Sequence, residues 1–431
     1  MTTRESTQEL VGRGNREGAA LFRDWFAELD EAGRNGGQSA YVFVMGSINE
    51  VLKTFDLPVV FPEINSLQTA VRRVAHEYLE TAEDHGYSPD ICGYVKADIG
   101  MQLRGGQHPM GQMPTPSMSV LTNACNTYIK WAEIWERMYD TPTFTIDIPG
   151  TRQAGGQTWR GDADFEADRR YVEVQLSELI TLCEEVTGKN FDIDKFRQVL
   201  GYANTMSRSW KRILDLNRSK PSLFNALTDG TIFLGVANGF RGTEAGARYF
   251  ERLVEEMEYR AAHGIGQAIE EQYRLLFVGV PCYPIFRRFN ELFTDWGGSF
   301  VNSTYLWFAS GGTNSGFEYD LTDPLASLAE GVLINVRGAM DAMFHQNDVL
   351  EHMAKDFDVD GVIYHPIKSC RTVSTGLADG RRHLTEELGI PSLFIESDMM
   401  DRRVVSEAQM KNRIDAFFEG LASRRRQLAD A

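Results

Sequence analysis

The chain has 431 residues, of which 42% are apolar and 24% charged, a composition typical of a globular protein with two or three domains. Its 61 acidic and 44 basic residues give a net charge of −17, which argues against nucleic acid or an anionic membrane as the main partner. No apolar run is long enough to cross a membrane, and the segment after Met1 is charged and helical in pattern, unlike a signal peptide. We therefore expect a cytoplasmic protein.

The first part of the chain alternates strand and helix patterns. Apolar periodicity predicts a helix over residues 6–33, and short β-branched or aromatic runs predict strands at 41–45, 57–60, 119–122 and 143–148. Further helices are predicted at 50–55, at 64–83 and after Cys125, and a long loop rich in Gly, Pro, Gln and Met at 101–117. This strand–helix alternation is typical of a parallel α/β sheet.

The remainder of the chain predicts a helical stretch and then a second α/β region. Residues 162–275 are mainly helical in pattern, and strands are predicted at 275–281, 299–302, 361–365 and 391–396, with helices at 329–344, 345–357, 374–388 and 406–421. We therefore predict an α/β fold with two parallel-sheet domains. The expected organisation is an N-terminal helical segment (1–40), a first α/β domain (41–160), a helical bridge (161–274) and a second α/β domain (275–431).

Five cysteines are scattered along the chain, too sparsely for a disulfide framework in a cytoplasmic protein. Cys92, Cys125 and Cys370 are predicted where the chain leaves a strand or enters a turn, and two of them precede a helix, whose N-terminus favours the thiolate. Soft thiolates select an iron–sulfur cluster or zinc, while buried structural cysteines are the alternative. Cys183 is expected in the core, and Cys282 either as a fourth ligand or in a packed turn.

Common nucleotide and metal motifs are absent from the sequence. There is no P-loop, no dinucleotide-binding glycine fingerprint and no His-Glu-x-x-His pair. If the reaction uses ATP, another chain is therefore expected to bind it.

Several stretches around the cysteines resemble one enzyme family, the benzoyl-CoA reductase / 2-hydroxyacyl-CoA dehydratase family. They are Tyr-Val-Lys-Ala-Asp-Ile-Gly-Met at 94–101, the segment from Cys125 to Trp131, Phe-Arg-Gly-Thr at 240–243, Ile-Lys-Ser-Cys at 367–370 and Phe-Ile-Glu-Ser-Asp at 394–398. The resemblance covers roughly residues 40–420. The first and third stretches are most similar to the B subunits of the ATP-dependent reductases.

The resemblance implies two flavodoxin-like domains with a [4Fe–4S] cluster between them, held by Cys92, Cys125 and Cys370. It further implies a paralogous cluster-binding subunit and a separate ATP-hydrolysing iron–sulfur activator that delivers low-potential electrons. The implied activity is the dearomatising reduction of an aromatic acyl-CoA in anaerobic aromatic degradation. The alternatives are radical dehydration of a 2-hydroxyacyl-CoA by the same cluster, and a structural subunit without a cluster, with a zinc site as a lesser variant.

Polar residues near the predicted strand ends and cysteines are candidate contacts of the ligand. Ser47 and Asn49 follow the first strand and either touch a ligand or cap the next helix. Positively charged side chains near the cysteines either balance the charge of a cluster or bind an acyl-CoA phosphate, unless they are simply solvated. These candidates are Lys96, Lys130, Lys368 and Arg371. Asp98, next to Lys96, is expected in the same second layer around the ligands.

Overall fold

The computed structural model describes residues 10–46, 48–150, 162–267, 270–310, 315–337 and 346–430. Within them the predicted fold class is confirmed, because the chain forms two parallel four-stranded sheets with helices packed around them. In the part of the chain that the structure describes, no helix combines the length and the hydropathy needed to cross a lipid bilayer.

The first sheet holds the strands nearest the N-terminus. The strands of this region are β1 (Ala40–Val42), β2 (Val59–Val60), β3 (Gln107–His108), β4 (Gly111–Gln112), β5 (Met118–Thr122) and β6 (Thr143–Ile146). The sheet has the order β2-β1-β5-β6 with every pair parallel, while β3 and β4 form a separate antiparallel hairpin. Strands β1, β2 and β5 are buried throughout, as expected for a parallel sheet covered on both faces.

The second sheet repeats this topology. Its strands are β7 (Tyr273–Gly279), β8 (Gly298–Ser303), β9 (Gly361–His365) and β10 (Ser392–Phe394). They lie in the order β10-β9-β7-β8 and are all parallel. If the strands of each sheet are counted in chain order, the first sheet has the order 2-1-3-4, which is the beginning of the flavodoxin-like order. The second sheet has the order 4-3-1-2, which is the same order read from the other edge.

Helices connect and surround the two sheets. They are α1 (Arg13–Asn35), α2 (Asn49–Thr54), α3 (Pro62–Val71), α4 (Ala75–Asp84), α5 (Gly93–Leu103), α6 (Asn126–Tyr139), α7 (Ala163–Thr187), α8 (Ile193–Leu216), α9 (Thr228–Gly239), α10 (Glu244–His263), α11 (Phe286–Thr294), α12 (Thr304–Phe308), α13 (Pro324–Val332), α14 (Gln346–Asp356), α15 (Arg371–Ser374), α16 (Leu377–Arg382) and α17 (Glu407–Ala429). The long helices α7 to α10 occupy the stretch predicted as a helical bridge.

The segment around Cys92 differs from the prediction. Cys92 does not lie at a strand's end; it follows the turn after α4 and begins α5, which continues to Leu103, inside the predicted loop. Nearly every residue of α5 is buried, so the helix has no polar face whose period would reveal it in the sequence. Its packing requires Gly100, because a Cβ atom there would lie 2.0 Å from the carbonyl oxygen of Tyr78 in α4.

The Phe-Arg-Gly-Thr stretch joins the bridge helices to the first sheet region. Arg241 donates from Nε to Oε1 of Glu50 over 2.6 Å and from Nη2 to the hydroxyl of Tyr319 over 2.8 Å. Both members of this ion pair are buried. Gly242 is in the left-handed region with φ of 75°, where a larger side chain would be strained. This stretch therefore has a structural role in the chain.

Candidate functional site

Each of the three cysteines directly precedes a helix. Cys92 and Cys125 are the N-cap residues of α5 and α6, and Cys370 precedes the four-residue helix α15. The backbone N–H groups of Tyr94 and Val95 point toward the Cys92 sulfur and favour its thiolate. The N-terminus of a helix favours negative charge for the same reason.

Cys125 and Cys370 occupy equivalent positions in the two sheets. Each follows the third strand of its sheet, β5 for Cys125 and β9 for Cys370, on the side where the strands end. In each sheet the first and third strands are neighbours, and ligands of parallel α/β sheets bind in crevices beyond the carboxyl ends of such strands. Sγ of Cys125 lies 3.7 Å from Oγ1 of Thr372, so the two strand ends face each other.

All three cysteines line one cavity of about 60 Å³ between the two sheets. The other residues around this thiol cavity are mostly apolar or aromatic; they are Val44, Met45, Glu63, Tyr94, Thr127, Tyr128, Trp131, Val280, Tyr305, Phe308, Thr372, Val373 and Met399. The cavity therefore brings together three predicted ligands that are far apart in the sequence.

The thiols of Cys92 and Cys370 resist ionisation as long as no cation is near them. Burial raises the pKa of Cys370 to about 11 and that of Cys92 well above its usual value, and the neighbouring cysteines raise both further. Three adjacent thiolates in an apolar cavity repel one another. A positively charged centre is what would make them ionise together.

Among the described residues that line the cavity, Glu63 is the one carboxyl group, and the sequence did not single it out. It lies in the first turn of α3, just after β2, and burial raises its pKa from 4.5 to about 7. Oε2 accepts a hydrogen bond from the N–H of Val44 and Oε1 accepts one from the hydroxyl of Tyr128, each over 2.7 Å. Its place at the end of a strand was the available signal, but acidic residues are common in the first turn of any helix.

Asp98 lies behind the cavity wall, as expected of a second-layer residue. Its buried carboxylate accepts hydrogen bonds from the indole N–H groups of Trp131 over 2.6 Å and Trp135 over 2.8 Å, and from Gln102 over 3.0 Å. Trp131 itself lines the cavity. Asp98 therefore fixes the orientation of an aromatic wall.

None of the three predicted lysines lines the thiol cavity. Lys96 is buried and donates to Glu83 over 2.9 Å and to the carbonyl of Pro89 over 2.7 Å. Lys130 is 79% exposed beside Glu133, and Lys368 is 54% exposed, with its ammonium 3.6 Å from Glu396. Their geometry therefore favours solvation or local ion pairing over contact with a ligand.

The two residues predicted after β1 also do not appear in the cavity wall. Ser47 lies outside the described residues. Asn49 is the first residue of α2, not its N-cap, and its amide donates to the carbonyl of Asn238 over 2.6 Å. Asn49 therefore contacts the end of α9, with neither a capping bond nor a place in the cavity wall.

The other two cysteines are buried elsewhere. Cys183 is fully buried in α7 within the hydrophobic core, as the sequence predicts. Cys282 is also fully buried, and its sulfur lies 3.6 Å from the hydroxyl of Ser397. It does not belong to the residues that line the thiol cavity, which favours the packed turn over a fourth ligand.

Comparisons with known proteins identify a family over most of the chain. Residues 45–421 match the family model described as 2-hydroxyglutaryl-CoA dehydratase, D-component. The B subunit of benzoyl-CoA reductase from Thauera aromatica is 33% identical over 405 residues, covering 91% of this chain and 90% of that protein. The (R)-2-hydroxyisocaproyl-CoA dehydratase alpha subunit of Clostridioides difficile is 29% identical, covering 95% and 98%.

A third relative is also similar over most of its length. The (R)-phenyllactyl-CoA dehydratase alpha subunit of Clostridium sporogenes is 29% identical, covering 92% of each chain. These relatives match along nearly their whole length, and the predicted resemblance is thereby confirmed. The chain is an enzyme subunit that belongs to the family of the 2-hydroxyglutaryl-CoA dehydratase D-component, which spans benzoyl-CoA reductase and 2-hydroxyacyl-CoA dehydratase subunits.

Proposed function

We propose that this chain is a subunit of an ATP-dependent benzoyl-CoA reductase that holds a [4Fe–4S] cluster through Cys92, Cys125 and Cys370. The observation that carries the proposal is the convergence of these three thiols on one cavity between the two sheets. Of the three relatives named, the one with the highest identity is a benzoyl-CoA reductase subunit. The partners would be a paralogous subunit and an ATP-hydrolysing iron–sulfur activator.

The donor set fits a cluster better than a single metal ion. Thiolate sulfur is the ligand type that iron–sulfur clusters take from proteins. Among the described residues, no three His, Cys, Asp or Glu side chains come close enough together to hold one ion, which argues against the zinc variant. A cluster is wider than an ion and separates its ligands accordingly. When bound, it would supply single electrons at low potential.

Glu63 and Tyr128 supply the proton chemistry of the cavity. Oε2 of Glu63 is occupied by the N–H donor of Val44, so a proton on the neutral carboxyl lies on Oε1, facing the oxygen of Tyr128. Tyr128 then accepts from Glu63, and its own hydrogen is free to be donated into the cavity. With a pKa of about 7, Glu63 can give up and regain a proton near neutral pH.

The walls of the cavity are mostly apolar or aromatic. The hydroxyl groups of Tyr305 and Tyr283 share a hydrogen bond of 2.8 Å, and burial raises the pKa of Tyr305 to about 12 and that of Tyr283 well above 10, so both phenols stay protonated. An apolar surrounding strengthens the interactions of charges that form in it. The arrangement therefore suits electron and proton transfer to a bound, apolar ring.

Metal analysis of the anaerobically purified chain tests the cluster. We expect iron and acid-labile sulfide in the wild type and a loss of both in each of the variants Cys92→Ser, Cys125→Ser and Cys370→Ser. Cys183→Ala is the matched control, because this cysteine is buried in α7 outside the cavity. Absence of iron and sulfide from the wild type after strict anaerobic handling would instead support a structural subunit without a cluster.

Substrate tests separate the two reactions open to the family. The second candidate is radical dehydration of a 2-hydroxyacyl-CoA, favoured by the dehydratase alpha subunits among the relatives. The complete complex with its partner subunit and activator is incubated with benzoyl-CoA and, separately, with 2-hydroxyacyl-CoA esters. Reduction of benzoyl-CoA is the expected result, and turnover of the hydroxyacyl esters alone would establish the dehydratase.

A further inference from the structure

The loop that carries Cys370 is held by the segment that follows β10. Beyond the end of the sheet, Ile367 and Ser397 form a single parallel bridge. The N–H of Lys368 donates to the carbonyl of Ser397 over 3.0 Å, and the N–H of Ser397 donates to the carbonyl of Pro366 over 3.2 Å. The backbone on both sides of Ser397 therefore extends the pairing of β9 and β10 toward Cys370.

Asp398 connects this loop to the next wall of the cavity. Its buried carboxylate accepts the N–H of Ser369 on Oδ2 over 2.9 Å, and on Oδ1 the N–H groups of Met400 over 2.8 Å and Asp401 over 3.0 Å. Ser369 immediately precedes Cys370, and Met399, next to Met400, lines the thiol cavity. One carboxylate thus sets the relative position of two pieces of the cavity wall.

A second chain of hydrogen bonds fixes Ser397 itself. Nδ1 of His365 lies 2.6 Å from the carbonyl oxygen of Val280, which can only accept, so Nδ1 carries the proton. Nε2 therefore accepts from the hydroxyl of Ser397 over 2.5 Å, and the oxygen of Ser397 also lies 3.6 Å from the sulfur of Cys282. Burial lowers the pKa of His365 to about 4, consistent with a neutral ring.

We propose that Asp398 and Ser397 are the positioning residues of Cys370: the two side chains do not reach the cavity, but they hold the loop that aims this third thiol at the other two. The proposal about the loop depends only on the fold, and its consequence for metal binding rests on the proposed function. It also gives the buried His365 and Cys282 a role as supports of Ser397.

The variant Asp398→Asn tests the proposal with almost no change in shape. An amide cannot accept hydrogen bonds on both sides, so its NH₂ group must face either the N–H of Ser369 or those of Met400 and Asp401. Since a buried donor left without an acceptor is destabilising, the loop is expected to open locally. Glu396→Gln is the matched control, because this carboxylate lies in the same segment and is 61% exposed.

The first measurement is the rate at which a maleimide alkylates each cysteine of the metal-free, reduced chain, read by peptide mass spectrometry. In Asp398→Asn we expect Cys370 to react about tenfold faster than in the wild type, with Cys125 unchanged within about twofold. Equal rates for Cys370 in Asp398→Asn, Glu396→Gln and the wild type would overturn the proposal.

The second measurement uses the iron-reconstituted chain. Iron release to a chelator is expected to be about tenfold faster in Asp398→Asn, and the electron paramagnetic resonance signal of the reduced chain is expected to change, with neither effect in Glu396→Gln. If Asp398→Asn accelerates the alkylation of all cysteines equally, the alkylation rates of the Ser397→Ala variant are compared with those of the wild type in the same way. A faster reaction of Cys370 alone would support the proposal, and its absence would overturn it. If the wild type takes up no iron, the proposed function is overturned. The alkylation rates would still test whether Asp398 and Ser397 position Cys370.

Discussion

Replacing Glu63 by Gln should make the chain more stable at neutral and alkaline pH. The structure raises the pKa of this buried carboxyl from 4.5 to about 7, so folding favours the protonated form. Its contribution to stability is therefore complete below about pH 4.5 and is lost as the pH rises through about 7. Because each pKa unit corresponds to about 1.4 kcal/mol, ionised Glu63 lowers the free energy of unfolding by about 3 kcal/mol. A glutamine keeps both hydrogen bonds, accepting from Val44 and donating to Tyr128.

The assay is urea unfolding of the metal-free wild type and the Glu63→Gln variant at a series of pH values. The stability difference in favour of the variant should grow from near zero at about pH 4 to about 3 kcal/mol at about pH 8. Glu80→Gln, an exposed carboxyl on α4, should show no such trend. A difference that stays constant over this range would refute the reasoning. In the assembled enzyme the same substitution should lower turnover by a factor of about 10² to 10⁴ if Glu63 supplies a proton.

Three further substitutions test the surroundings of the site. Arg241→Met leaves the buried Glu50 without its ion-pair partner and should lower the free energy of unfolding by about 3–5 kcal/mol in urea titrations; a loss below about 1 kcal/mol would contradict a buried pair. Trp131→Phe removes one of three donors to Asp98 and should lower the free energy of unfolding by about 1–3 kcal/mol, whereas an unchanged midpoint would argue against this network. The pKa of His108 falls from 6.5 to about 4 through burial, so the wild type should lose up to about 3 kcal/mol as the pH falls through this range. His108→Gln should flatten that acid limb in the same titration, and an unchanged limb would show that another group causes it.

Local patterns in the sequence were sufficient for the architecture. Short β-branched runs separated by helical stretches predicted two parallel sheets, because a strand buried on both faces must be apolar along its length. The same local patterns predicted a helix directly after Cys125. They failed for α5, since a helix that is buried on all sides carries no amphipathic period.

Local patterns could not decide which side chains share the cavity. Lys96 is four residues from Cys92, yet its ammonium bonds to Glu83 and Pro89, outside the cavity wall. Glu63 lies in the first turn of a helix, where acidic residues are common. Only its burial in the folded protein, which raises its pKa, distinguishes it from other such residues.

What the sequence by itself determined is the fold class, the family and three candidate thiols, all properties that residue types and short-range order encode. Only the tertiary structure decided that Cys92, Cys125 and Cys370 share one cavity with Glu63, and that Ser397 and Asp398 hold the loop of Cys370. The physical reason is that burial, and with it the pKa of a carboxyl and the partner of a hydrogen bond, depends on contacts between segments far apart in the chain.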